Sequence, residues 1–112
     1  MNITFQNKKF EKLVYNESKL FKELGPLRAK IFLRRLGTLI AASSLEDVRY
    51  APGNFHELLA DRKGQWACDL DQPYRLIFEP HEDPIPTDEA GRYVWLEIKG
   101  IEVIEIVNYH GK

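Results

Sequence analysis

The spacing of apolar side chains changes period near residue 52, and that change divides the chain into two kinds of structure. Ahead of it, Leu20, Leu24, Leu27 and Ile31 follow one another at intervals of four, three and four, and Phe32, Leu36, Leu39 and Ile40 continue the stripe. Such intervals line one face of an α-helix. Gly25-Pro26 interrupts the stripe. Proline fits a first helical turn but disfavours helical backbone in the residue before it. The reading is therefore a helix ending near Leu24 and a second from Pro26 to about Ala42. Arg28, Lys30, Arg34 and Arg35 fall off the stripe and are expected in solvent. Upstream, Ile3-Thr4-Phe5 reads as a short strand. Asn7 reads as the cap of a short helix carrying Phe10, Leu13 and Val14.

Beyond Ala51-Pro52-Gly53-Asn54 the period is two. Phe55 to Ala60, Gln65 to Leu70 and Tyr74 to Glu79 are short runs separated by Asp61-Arg62-Lys63-Gly64 and Asp71-Gln72-Pro73, a pattern of antiparallel hairpins. In the third run Tyr74, Leu76 and Phe78 share one face, and Arg75, Ile77 and Glu79 the other. Ser44 to Val48 reads as a linking turn, and residues 80–92 as a polar loop. Glu102 to Tyr109 is the last strand, with Trp95 to Ile98 either extending it or forming a separate short one. Helices must cover the Tyr74, Leu76 and Phe78 row to bury it. The expectation is an α+β fold in one domain of 112 residues, with N-terminal strand and helices on one face of an antiparallel sheet. A polar cleft is expected on the uncovered face.

Composition narrows the function. The single cysteine, Cys68, excludes an internal disulfide and a multi-cysteine zinc site, and fits a reducing, cytoplasmic home. No apolar stretch resembles a secretory leader or approaches the ~20 residues of a membrane span. The net charge of −1 conceals a split: residues 1–66 hold twelve Lys and Arg against seven Asp and Glu, and residues 67–112 hold four against ten. The basic half is either a face for a polyanion or ordinary solvated surface. Gly-rich phosphate loops, zinc-ligand spacings and nucleophile elbows are missing from the sequence, so no cofactor and no metal is expected.

Three histidines remain: His56, His81 and His110. Imidazole is the side chain best suited to proton transfer near neutral pH. A strand-end histidine can equally be bonded to backbone. Arg75 sits among Leu76, Ile77 and Phe78, so its guanidinium needs either a phosphate or a carboxylate such as Glu57, Asp69 or Glu79. Arg62, Lys63 and Gln65, in the turn before Trp66, are candidate contacts to nucleic acid, whereas Trp66 itself alternates with Cys68 and Leu70 as a core residue would.

Taken together, Phe55-His56-Glu57-Leu58, Asp61-Arg62-Lys63-Gly64-Gln65, Pro73-Tyr74-Arg75-Leu76-Ile77-Phe78 and Ile104-Glu105-Ile106-Val107-Asn108-Tyr109-His110-Gly111 resemble the HigB branch of the RelE/ParE toxin superfamily. The resemblance implies a β-α-α-β-β-β fold and the toxin of a bacterial type II toxin–antitoxin system. It implies endonucleolytic cleavage of mRNA, typically on the ribosome. The implied partner is a helix-turn-helix (HigA-type) antitoxin, through which alone operator DNA is reached. It places catalytic residues at His56, Arg75, Tyr109 and His110. Two positions depart from the pattern: Leu59 stands where some active relatives carry lysine, and Asn108 replaces a terminal aspartate. Two alternatives follow from these departures. One is a ParE-type toxin that inhibits a topoisomerase without cutting RNA. The other is a weakened member that chiefly binds antitoxin and tunes repression.

Overall fold

The computed structural model describes residues 1–108, so Tyr109 and His110 lie outside the described residues. The chain begins with β1 (Asn2–Phe5), followed by α1 (Lys8–Val14), α2 (Glu17–Leu24), α3 (Pro26–Ala41) and the single turn α4 (Leu45–Val48). Then come β2 (His56–Glu57), β3 (Trp66–Asp69), β4 (Tyr74–Pro80) and β5 (Gly100–Asn108). Short 3₁₀ turns occupy Ala60–Arg62 and Trp95–Glu97.

Local chemistry sets the helix boundaries. The Asn7 side chain accepts a hydrogen bond from the Phe10 amide at 3.0 Å, and Asn16 accepts one from the Lys19 amide at 3.2 Å. Each satisfies an amide that the first helical turn leaves without a partner. Gly25, at φ 86°, ends α2 in a backbone conformation that other residues rarely adopt, and Pro26 then opens α3. The buried face of α3 is Ala29, Phe32, Leu36 and Leu39, whereas Leu27 and Ile40, assigned to the core stripe by spacing, are 63% and 56% exposed.

Two arginines expected in solvent are half-buried instead. Arg28 donates from Nε and Nη2 to the two Asp71 carboxylate oxygens at 2.9 and 3.1 Å, and its guanidinium lies 3.5 Å over the Tyr74 ring. Arg35 donates from Nε to the Asp69 carbonyl at 2.7 Å. Planar guanidinium suits both a two-pronged carboxylate and a ring face. Both contacts fasten α3 to the β3–β4 end of the sheet.

The five strands run in the order β1-β5-β4-β3-β2. The β2–β3, β3–β4 and β4–β5 pairings are antiparallel as expected, while β1 runs parallel to β5, making the sheet mixed. The run from Phe55 is strand only at His56 and Glu57, because Ala60 turns left-handed (φ 56°) and the 3₁₀ turn begins. Trp95 to Glu97 forms a 3₁₀ turn rather than a strand, with Trp95 buried.

The helices cover one face of the sheet. Trp66, Cys68, Leu76, Phe78, Ile101 and Val103 meet Phe32, Leu36 and Leu39 there. Trp66 stacks on Phe78 (6.5 Å between centroids) and meets Trp95 edge-on (5.4 Å), so it belongs to the core. Fully burying one such side chain is worth roughly 1.5–3 kcal/mol. Among the described residues no helix is long and apolar enough to cross a membrane.

Candidate functional site

Cross-strand register defines the opposite face. Directly paired residues share a face, and three rows result. One is Asp69, Arg75 and Val107; the next is His56, Ala67, Ile77 and Glu105. Past a bulge after Ile77, Glu79 pairs with Glu102. Arg75, Ile77 and Glu79 thus stand away from the helices, as alternation along the strand requires.

His56 is half-buried at the sheet edge, its Nδ1 2.7 Å from the Asn54 carbonyl. A carbonyl oxygen only accepts, so Nδ1 is the donor, and in the tautomer this selects the lone pair is at Nε2. Asn54 is held by its left-handed backbone (φ 55°), and its Nδ2 lies 3.3 and 3.5 Å from the Asp69 carboxylate oxygens. Asp69 Oδ1 is in turn 3.3 Å from Arg75 Nε. A polar chain therefore runs from His56 through Asn54 and Asp69 to Arg75. Asp69 is anchored at its backbone too. Its amide donates to the Gly53 carbonyl at 2.8 Å and its carbonyl accepts from Arg35. Gly53 is required there: at φ 121° it leaves room for Arg35, whose Nε would lie 2.6 Å from an added Cβ.

Two strand spacings of about 4.8 Å and one two-residue step along β4 place the His56 and Arg75 Cα atoms about 12 Å apart. Spacing alone could not have selected Asp69 from the three carboxylates near Arg75, and Asn54 was legible only as turn punctuation.

Arg62, Gln65 and Lys63 lie toward the other end of the same face. Arg62 donates from Nη1 to Gln65 Oε1 and from Nη2 to Glu105 Oε2, each at 2.9 Å, and Gln65 Nε2 donates to Glu79 at 3.0 Å. Reaching Glu105 on β5 carries the Arg62 side chain across β3 and β4. Ala67 and Ile77, fully buried yet outside the main core, lie on that path. Lys63 is exposed, with Nζ 5.6 Å from the Tyr93 ring centroid. These three residues line a cleft of about 550 Å³ whose other walls include Glu79, His81, Glu82, Asp83 and Glu102. His56 and Arg75 lie outside that cleft. Of the two departures, Leu59 is 78% exposed and Asn108 ends β5 opposite Tyr74. Among the described residues no group of three or more His, Cys, Asp or Glu side chains could hold a metal ion.

Fold and site together define an α+β protein whose mixed sheet is covered by helices on one side and carries a His–Asn–Asp–Arg polar chain on the other. No family model, no curated protein and no solved structure matches this chain.

Proposed function

We propose that this chain is the toxin of a type II toxin–antitoxin system and acts as an endoribonuclease on mRNA, on the ribosome and in the cytoplasm. The observation that supports this best is the placement of His56 and Arg75 on the same uncovered sheet face, connected through Asn54 and Asp69. The sequence resemblance adds the antitoxin partner of helix-turn-helix type.

RNA supplies its own nucleophile. The 2′-hydroxyl loses its proton, its oxygen bonds to phosphorus, and the bond to the 5′-oxygen breaks. The products are a 2′,3′-cyclic phosphate and a 5′-hydroxyl that has gained a proton. With Nδ1–H committed to Asn54, His56 Nε2 is poised as the base. A positioned base contributes roughly 10²- to 10⁴-fold. Asp69 holds one side of the Arg75 guanidinium, which faces the charge growing on the phosphoryl oxygens. Losing one such donor costs about 10²- to 10³-fold. His110 is the partner acid and Tyr109 the stacking or orienting group in this proposal. This acid–base route uses imidazoles and a guanidinium only, so cleavage is expected to persist in a chelator.

The test is single-turnover cleavage of ribosome-bound mRNA by the wild type, His56→Ala, Arg75→Ala and His110→Ala. Losses of at least about 10²-fold are expected. Wild-type rates in all three variants would refute the assignment. A second reading, a toxin that binds a topoisomerase, is favoured by the carboxylates Glu79, Glu102 and Glu105 on the same face, which repel a polyanion. A supercoiling assay run beside the cleavage assay separates the two.

A further inference from the structure

On the helical side of the molecule, α1 and α2 enclose a groove of about 520 Å³ lined by Lys9, Lys12, Lys19 and Lys22. Leu13 and Asn16 lie at the joint between the helices, and Glu23 is the single carboxylate in the lining. All four lysines are exposed. Among the described residues none of the four has an ion pair; the one lysine of these helices that has, Lys8 with Glu11, lies outside the groove. Like charges three residues apart on a helix repel, and here two such pairs converge on one groove. The arrangement does nothing for helix stability.

We infer that this groove binds the phosphodiester backbone of single-stranded nucleic acid, without reading its sequence. Four ammonium groups are point charges on flexible stems, which suit phosphates at variable spacing. The lining holds no aromatic ring to stack a base and no guanidinium fork to read a base edge. Leu13 is its one apolar side chain, so a protein partner would find little to anchor to. The basic excess of residues 1–66 thereby acquires a location: much of it converges on one concave surface, opposite the sheet face that carries His56 and Arg75. Binding in the groove does not depend on the cleavage chemistry.

The probe is a fluorescein-labelled 2′-O-methyl U12, which cannot be cut, followed by anisotropy from 50 to 200 mM salt. Four neutralised phosphates give a log–log salt slope near −2.8, which is about 50-fold weaker binding across that range. The Lys9→Gln, Lys12→Gln, Lys19→Gln, Lys22→Gln variant should lose at least about tenfold in affinity at low salt and most of the slope. Glutamine has nearly the helix propensity of lysine, so the fold should persist. Circular dichroism checks this, and the charge-reversing pair Lys12→Glu, Lys19→Glu gives a second route to the same loss. Lys30→Gln with Arg34→Gln, exposed on α3, should bind as wild type. Labelled dT12 should bind within about threefold of the RNA probe, since phosphate is the shared ligand. The inference is overturned if the four-site variant binds U12 like the wild type, if RNA and DNA differ by more than about tenfold, or if a twelve-residue polyglutamate displaces U12 at equal concentration. Loss of cleavage in His56→Ala with U12 binding intact would separate this surface from the sheet site.

Discussion

Asp69→Ala tests the polar chain at its most connected point. The substitution removes the carboxylate that accepts from Asn54 and lies 3.3 Å from Arg75 Nε. The side chains of Asp69 and Arg75 are 22% and 29% exposed, so the pair is neither freely screened by water nor sealed from it. Exposed pairs are worth roughly 0.2–1 kcal/mol, and breaking sealed ones costs roughly 3–5 kcal/mol. The intermediate burial puts the loss at about 2 kcal/mol. With an unfolding entropy near 2.1 cal/mol/K per residue over 112 residues, Tm should fall by about 9 °C. Arg75→Met keeps an unbranched stem and removes the charge. In a double-mutant cycle with Asp69→Ala, urea denaturation should return a coupling of about 1 kcal/mol or more. Under the nuclease proposal, cleavage by Asp69→Ala should also fall toward that of Arg75→Ala, because the guanidinium loses its orientation. If the two single changes add to within about 0.3 kcal/mol, Asp69 does not hold Arg75 and the chain is broken at that link.

Three further outcomes can be checked. The Arg28 hydrogen bonds hold the Asp71 carboxyl below its ordinary value of 3.8. The folded state therefore binds fewer protons than the unfolded one in that range; the stabilisation is complete above the unfolded value and disappears as pH falls through the lowered one. Urea midpoints of Asp71→Asn should accordingly vary less between pH 5 and pH 2 than those of the wild type, and an equal dependence would refute the pairing. Burial pushes the Cys68 thiol up to about 12, with Asp69 adding to the rise and Arg35 opposing it. Cys68 should thus resist Ellman's reagent at pH 8 in the folded protein and react promptly in denaturant; rapid reaction of the native protein would contradict its burial. Glu105→Gln should leave stability within about 1 kcal/mol of wild type, since Arg62 and Glu105 are 35% and 46% exposed. Under the nuclease reading it should also tighten RNA binding at low salt, by removing a carboxylate from the face and loosening Arg62; weaker binding would count against that reading.

What the sequence revealed and what it hid divide along the range of the interactions. The Asn7 cap, the break at Gly25-Pro26 and the face carrying Arg75 are set by residues within a few positions, and all three are found. Of the apolar stripe running into α3, Phe32, Leu36 and Leu39 are core, while Leu27 and Ile40 lie at its margins and are exposed, a distinction that spacing alone does not draw. Local spacing sends Arg28 and Arg35 to solvent because their partners, Asp71 and Asp69, lie 43 and 34 residues further along. The parallel pairing of β1 with β5 was invisible to local pattern, since alternation within a strand carries no information about its neighbour's direction. The same limit applies at the site. Alternation placed Arg75 outside the core, but only the register of β3 against β4 selects Asp69 for it. The turn sequence presents Arg62 and Gln65 as open contacts, whereas the fold engages Arg62 with Glu105 and Gln65 with Glu79.

The union of β1 with β5 also governs how the molecule is made. Ile3 finds its ladder partner in Ile101, so that pairing closes a loop of about a hundred residues and must wait until the chain has been made past residue 101. The entropic cost of closing a loop rises only slowly with its length, but it falls due before the distant contacts repay it, so non-local pairings form late and slow folding relative to an all-helical domain. Until then Phe5 on one side and Ile101 and Val103 on the other lack their final cover. Phe5, made early and covered late, is thus the core side chain left longest without its final neighbours.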